Sequence, residues 1–535
     1  MPTGPRPPPR RRSSPGADRP RASHAATADR ARGPHREHAG RTPVPVTTRQ
    51  RGGTRVGWKA DEELHVDLPD RPLVIVANRL PVSRGPDGWR PAAGGLVTAL
   101  RPVIEQVGGA WIGWDDDPEG VPSRVDGLNC DLHAVGLSEA QVEGYYHGFA
   151  NRTLWPLFHD LVEEPVIDRG WWRIYEEVNR RFAATLEHVV TASEVTPLVW
   201  IQDYHLMLQP ELVRAAAPDA PIGFFLHTPF PPPELFARLP WRDQLLHGLL
   251  AADAIGFHTT RYRDNFVRSV QHLYSGVTAL GDTLILPDGR QVRVVAHPIS
   301  IDVDEFADLA RTEETERELA DLEQQFEGRT VLLGVDRLDY TKGIRHRLQS
   351  IELLLERRPD LIGSLAFVQI AVPSRDDVDE YQQLRTSVET EVGRINGRFT
   401  EPGKDVPVHY LYRGVPRPAL AAYYRLADMM CVTPLKDGMN LVAKEFVTVQ
   451  SATEGDGVLL LSEFCGTSAE FGDDAVRTNP FDIEGQSYLM ESAMRLDSED
   501  RRGRVARMAE IVRDADVYRW VEDELTGIAS GGHGP

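Results

Sequence analysis

Short apolar runs, each followed by a stretch able to form a helix, recur along most of this chain and leave it few folds. Runs at 73–77, 111–114, 198–202, 222–226 and 254–257 are too short for helices and too continuously apolar for half-exposed strands. They read as strands buried on both faces, with helix-forming segments at 206–217 and 240–251 between them. A second series begins at 330–335 and continues through 365–372, 409–412, 429–433 and 457–462. Strands alternating with helices imply parallel βαβ units. The expected fold class is therefore α/β, with two doubly wound domains. Ligands in such folds bind beyond the carboxyl ends of the strands.

The length of 535 residues agrees with two domains and a tail. The expected boundaries are 71–305 for the first domain and 306–490 for the second. A C-terminal helix and tail cover 491–535. Residues 1–60 carry 14 Lys/Arg against 3 Asp/Glu, whereas the rest carries 46 against 77, so +11 faces −31. The region 1–70 is rich in Pro and Arg and poor in large apolar side chains, and it is expected to be a disordered, dispensable extension or an over-long start. It lacks interleaved aromatics and the remainder is acidic, so no nucleic-acid partner is expected. No apolar run is long enough for a membrane span, and no apolar segment follows the basic N-terminus as in a secretion signal. Cys130, Cys431 and Cys465 are scattered and read as free thiols in a reducing compartment, the cytoplasm.

Polar residues just past the buried strands fall on the rim of the expected cleft. Arg79 ends the first strand, and its planar fork suits phosphate oxygens. The Gly94-Gly95 turn opens a helix and lets backbone approach a ligand. Asp203 and His227 follow the strands at 198–202 and 222–226. In the second domain, Arg337 and Lys342 stand close together after a strand, and Arg375 follows the next one. Two cations beside a diphosphate would neutralise charge on a departing nucleotide; alternatively they pair locally with Asp336 and Asp339. The stretch Cys431-Val-Thr-Pro-Leu-Lys-Asp-Gly-Met-Asn-Leu-Val-Ala-Lys-Glu-Phe446 reads as strand, loop and helix start. Its unpaired amides and helix dipole could receive a diphosphate, with Asp437 and Glu445 holding sugar hydroxyls on either side. Asp115-Asp-Asp117 reads as a solvated turn; no His/Cys ligand cluster accompanies it, and no metal site is expected.

With these residues assembled, the chain closely resembles the trehalose-6-phosphate synthase family of retaining glycosyltransferases. The matching blocks run in order over about 71–525. They include Val76-Ala-Asn-Arg-Leu-Pro, Ala93-Gly-Gly-Leu, Trp111-Ile-Gly-Trp114, Leu154-Trp155-Pro-Leu-Phe-His159 and Gln202-Asp-Tyr-His-Leu206. Phe225-Leu-His-Thr-Pro-Phe-Pro231, Val335-Asp-Arg-Leu-Asp-Tyr-Thr-Lys-Gly343 and the 431–446 stretch follow. The resemblance implies a GT-B fold with the C-terminal helix crossing back. It also implies transfer of glucose from a nucleoside-diphosphate glucose to glucose 6-phosphate, giving α,α-trehalose 6-phosphate with retention. No metal or other cofactor is implied, and the leaving phosphate helps to remove the acceptor proton. Arg79, Tyr146, Trp155, Asp203 and Arg375 match acceptor contacts. Gly94, Gly95, Arg337, Lys342 and Val415 match donor contacts, as does the run Asp437, Gly438, Met439, Asn440, Leu441, Val442, Ala443, Lys444 and Glu445. His227, Arg337, Lys342 and Asp437 match the catalytic set. The sequence around Val415 leaves the donor base open. The resemblance further implies a homo-oligomer, dimer or tetramer, and a separate trehalose-phosphate phosphatase downstream. The alternatives are a glucosylglycerol-phosphate synthase, a cyclitol-coupling pseudo-glycosyltransferase on the same scaffold, or a non-catalytic sugar-phosphate sensor.

Overall fold

The computed structural model describes residues 71–531 apart from 86, 87, 93, 94, 376 and 377. The extension expected over 1–70, and Gly94, lie outside the described residues. Two sheets dominate. The larger runs, from one edge, Asp131–Gly136, Ala110–Asp115, Leu73–Arg79, Leu198–Gln202, Ile222–Leu226, Ala254–Phe257 and Gln291–Ala296, all parallel. An antiparallel ribbon, Thr283–Ile285 and Thr278–Leu280, extends its far edge. The second sheet runs Val408–Leu411, Leu365–Val372, Thr330–Arg337, Met429–Val432, Val458–Ser462 and Val476–Thr478, again parallel.

Within each sheet the first strand of the series lies at the centre, and the chain winds outward first one way and then the other. The reversal falls between Leu73–Arg79 and Leu198–Gln202 in the first sheet. In the second it falls between Thr330–Arg337 and Met429–Val432. At such a point the helices leave on opposite faces, which opens a crevice at the carboxyl ends. Alternate residues of each central strand feed opposite faces. Val74 and Val76 pack into one core and Leu73, Ile75 and Ala77 into another.

The helix Val517–Gly531 closes the underside of the first sheet, although it comes last in the chain. Trp520, Val521, Leu525 and Ile528 share a core with Trp200, Phe225 and Ala254. The preceding helix, Ser498–Asp514, instead places Met508 and Val512 in the core of the second sheet. Between them, the Val517 amide donates to the Ile301 carbonyl at 3.1 Å. Both crossings between the sheets therefore meet at one place. The strands and helices expected from the sequence are present. The strands Asp131–Gly136, Gln291–Ala296 and Val476–Thr478, the antiparallel ribbon and the π-helix Val142–Leu154 were not among the elements expected.

Candidate active site

The wall belonging to the first sheet starts at Arg79, the last residue of its strand. Its guanidinium lies 3.4 Å from the centroid of the Trp114 ring and 3.4 Å from Asp116. Of the acidic triplet, Asp115 ends the strand Ala110–Asp115, whereas Asp116 and Asp117 are exposed in the bend after it, where Asp116 also steadies Arg79. Tyr146 lies in the π-helix, stacked on His205 with centroids 5.9 Å apart. One-residue-wider turns are rare in proteins and shift side chains off the ordinary helical stripe. Here the π-helix runs directly into the short helix Trp155–Phe158. Trp155 is buried, and its indole N–H has no hydrogen-bond partner among the described residues.

Asp203 follows the strand Leu198–Gln202 with φ 73°, a conformation uncommon for a residue with a Cβ. That backbone turn brings its carboxylate within 3.2 Å of the His227 amide, which donates to it. Burial pushes the carboxyl pKa up to about 7; the amides of Tyr204 and His227, and then Arg337 and Arg375, oppose the rise. His227 holds Nε2 2.8 Å from Gln202 Oε1, and burial pushes its pKa down to about 3. Its imidazole is neutral at any working pH.

The wall belonging to the second sheet carries the cations. Arg337 ends the strand Thr330–Arg337, is exposed, and makes no hydrogen bond or ion pair among the described residues. Lys342 sits on the turn Tyr340–Lys342 with its ammonium 2.6 Å from Asp437 Oδ2. Local pairing with Asp336 and Asp339 does not occur. Asp336 instead bonds Arg347, and Asp339 bonds Arg375 at 3.1 Å. Arg375 has φ 53°, and its side chain is held by Asp339, Tyr381 and Tyr204. It stacks on Trp155 at 4.3 Å, and Arg337 lies 5.9 Å from the same ring. Tyr204, Tyr381 and Gln202 were not among the residues expected at the site, and Asp339 was expected only as a local partner of Arg337 and Lys342. Gln202, Tyr204 and Asp339 stand at or just past strand ends, whereas Tyr381 lies inside the helix Asp379–Phe399.

Asp437 lies on the loop after Met429–Val432. Besides Lys342, its carboxylate accepts from Asn440 Nδ2 at 3.2 Å and the Gly438 amide at 3.0 Å. Burial raises its pKa, but the Lys342 ammonium outweighs that and holds it below the ordinary value. Tyr262, from a helix of the first sheet, donates to the Asp437 carbonyl at 2.8 Å. A Cβ at Gly438 would meet the His227 carbonyl oxygen at 2.1 Å, so glycine permits the two walls to touch. The helix Leu441–Ala452 follows with Asn440 as N-cap, and no acidic side chain occupies its first turn. Leu441 and Val442 therefore present helix-start amides. Glu445 accepts from Tyr424 Oη at 2.7 Å, and burial raises its pKa. Val415 sits between Val408–Leu411 and the helix Arg417–Leu426, and Gly95 opens the helix Gly95–Val107.

Three residues of the 437–445 run already have partners within the protein, two through their side chains and one through its backbone amide. The Lys444 ammonium is fully buried and bonded to Glu470 at 2.9 Å and the Ile299 carbonyl at 3.0 Å, so it has no reach toward a ligand. Met439 is 4% exposed and packs with Trp520 in the first-sheet core. The Ala443 amide is already taken by the Asn440 side chain at 3.3 Å. A helix turns successive side chains about 100° apart, so a run of neighbours cannot all face one ligand.

Comparison with known proteins places this geometry. The model of the family described as Glycosyltransferase family 20 matches residues 72–530. The chain belongs to glycosyltransferase family 20. A trehalose-6-phosphate synthase from Mycobacterium avium (strain 104) is 45% identical over 479 residues, which span 86% of this chain and 96% of that one. Among solved structures, the UDP-forming α,α-trehalose-phosphate synthase of Burkholderia xenovorans in complex with glucose-6-phosphate superposes with TM-score 0.78. It is 34% identical and covers 86% of this chain and 100% of its own. An E. coli structure bound with UDP-2-fluoro glucose gives TM-score 0.78 at 33% identity, with 86% and 99% covered. A family 20 glycosyltransferase with two facing Rossmann-like sheets is thus what the strand order and the cleft describe.

Proposed function

We propose that this family 20 enzyme transfers glucose from a nucleoside-diphosphate glucose to glucose 6-phosphate, forming α,α-trehalose 6-phosphate. One observation carries the reading most directly. Arg375 and Arg337, both from the second sheet, converge on Trp155 of the first. A phosphate held at Arg79 and Arg375 would therefore place its sugar next to a diphosphate held at Arg337 and Lys342. Tyr146, Trp155 and Asp203 complete the acceptor wall. His227 and Asp437 flank the transferred glucose, Glu445 meets the ribose, and Val415 lies by the base.

The reaction proceeds with retention. The acceptor hydroxyl oxygen bonds to the anomeric carbon as the bond from that carbon to the phosphate oxygen breaks. The hydroxyl proton passes to the departing diphosphate, whose charge Arg337 and Lys342 compensate. Asp437 is committed to Lys342, Asn440 and the Gly438 amide, which disfavours it as a covalent nucleophile. No metal is needed, because two cations already stand where charge develops; full turnover after chelation is the corresponding check.

Among the described residues no helix is long and apolar enough to cross a membrane. A cytoplasmic location is supported by three buried, unpaired cysteines. We further propose a dimer or tetramer, and a separate phosphatase acting on the product. The decisive experiment incubates the purified protein with glucose 6-phosphate and UDP-, ADP- or GDP-glucose and identifies the products by mass. Trehalose phosphate from at least one donor is expected. Its absence from all three refutes the reading in favour of another acceptor or a sensor.

A further inference from the structure

Glu305 lies in the helix Val303–Leu309, just past the segment that joins the two sheets. One of its oxygens, Oε1, accepts from Arg101 Nη2 at 2.9 Å and from Arg417 Nη1 at 2.6 Å. The two arginines come from opposite sides of the cleft. Arg101 belongs to the helix Gly95–Val107 of the first sheet. Arg417 opens the helix Arg417–Leu426 of the second, two residues after Val415. Arg417 also feels the Glu445 carboxylate electrostatically and stacks over Phe306 at 5.0 Å. One carboxylate thus links the helix Gly95–Val107, the base loop and the ribose carboxylate.

Its own placement is firm. The Glu305 amide donates to the Asp302 side chain at 2.9 Å, and the other Asp302 oxygen accepts from Tyr518 of the last helix at 2.8 Å. The anchor therefore sits where both crossings between the sheets meet, the natural pivot for relative movement of the two halves. The three charged side chains remain partly open to water, with exposures of 28% for Glu305, 33% for Arg101 and 41% for Arg417. Pairs this exposed add little to overall stability. What a shared carboxylate does supply is direction, because charge-assisted bonds to a guanidinium fork are short and oriented.

We propose that Glu305 is a positioning residue for the nucleotide-sugar donor, holding the helix Gly95–Val107 and the base loop in register across the pivot. The inference rests on the donor-site reading above. Glu305 touches no substrate and acts through Arg101 and Arg417.

The test is a split between donor and acceptor parameters. Glu305→Ala should raise the KM for the nucleotide sugar about tenfold, while the KM for glucose 6-phosphate stays within about twofold. Calorimetry with the free nucleoside diphosphate of the preferred donor should show weaker binding in the same direction. Glu305→Gln, which keeps an acceptor oxygen, should recover part of the loss. Arg101→Gln cuts only the side belonging to the first sheet. It should give the same donor-selective change and add nothing on top of Glu305→Ala, as members of one network do. A donor KM within twofold of wild type in Glu305→Ala overturns the proposal. So does a rise in both KM values together, which marks a general structural defect. If the wild type neither binds nor turns over any nucleotide sugar, the donor-site reading itself fails. If Lys342→Ala is impaired while Glu305→Ala behaves as wild type, only the bridge fails.

Discussion

Replacing Asp203 with Asn should stabilise the unliganded protein, by an amount that grows as pH rises from about 4 to about 7. The carboxyl has an ordinary pKa of 3.8 and is raised to about 7 in the fold, chiefly by burial. A carboxyl whose folded pKa is the higher one binds its proton more tightly when folded. The native state is therefore penalised as pH rises from about 4 to about 7, and the full penalty persists above that. Three pKa units at 1.36 kcal/mol each set a ceiling of ~4 kcal/mol, and the water-facing edge of Asp203 reduces this to about 2 kcal/mol. Asn keeps the oxygen that accepts from the His227 amide and tolerates the positive φ, so the substitution removes charge with little change of shape. The assay is denaturant unfolding of wild type and Asp203→Asn at pH 4.5 and pH 8. The variant should gain about 2 kcal/mol at pH 8 and much less at pH 4.5, while losing affinity for glucose 6-phosphate. Equal stability differences at the two pH values, or a loss at pH 8, would refute the argument that the cleft holds this charge at the expense of stability.

Other substitutions probe the opposite wall. Arg337→Ala should cut turnover by ~10²–10³-fold with every donor while barely moving the melting temperature, since this arginine is exposed and makes no hydrogen bond or ion pair among the described residues. Lys342→Ala should lose similar turnover but also some stability, because it strands Asp437; near-normal turnover in both variants would sink the diphosphate assignment. Arg347 has 0% side-chain exposure and bonds Asp336, Gln369 and Thr433 from three neighbouring segments. Arg347→Met leaves Asp336 buried and unpaired, so unfolding should cost ~3–5 kcal/mol less, with partial recovery when Asp336→Asn is added. Gly438→Ala places a methyl group 2.1 Å from the His227 carbonyl oxygen and should abolish activity, as read by product formation, by prising the two walls apart.

The architecture was legible because strands buried on both faces announce themselves as unbroken apolar runs, and 330–335 or 365–372 admit no other reading. Residues at strand ends were legible for the same reason. Once the strand is placed, Arg79, Asp203, His227 and Arg337 are carried to the rim by topology alone. The run from 437 to 445 was read less well, because a loop entering a helix distributes its side chains around an axis. Lys444 turns to Glu470 and Met439 into the core while their neighbours stay in the cleft. The partners that hold site residues in place were not visible either. Asp339 and Tyr381 reach Arg375 only after the chain has folded, over separations of 36 and 6 residues. The π-helix was equally hidden, since an extra residue in each turn leaves no repeat in the sequence for the eye to find.

The order of synthesis gives the last helix a further significance. The first sheet is complete in sequence by Ala296, yet Trp200, Phe225 and Ala254 stay uncovered until Trp520 and Ile528 have been made. From Leu226 to Trp520 is 294 residues, or about 15–60 s at ordinary elongation rates of ~5–20 residues per second. A nascent chain of this protein therefore cannot fold its first half and then its second as independent beads. It carries an open apolar floor through most of translation, and the need for a chaperone should fall on the ribosome-bound form.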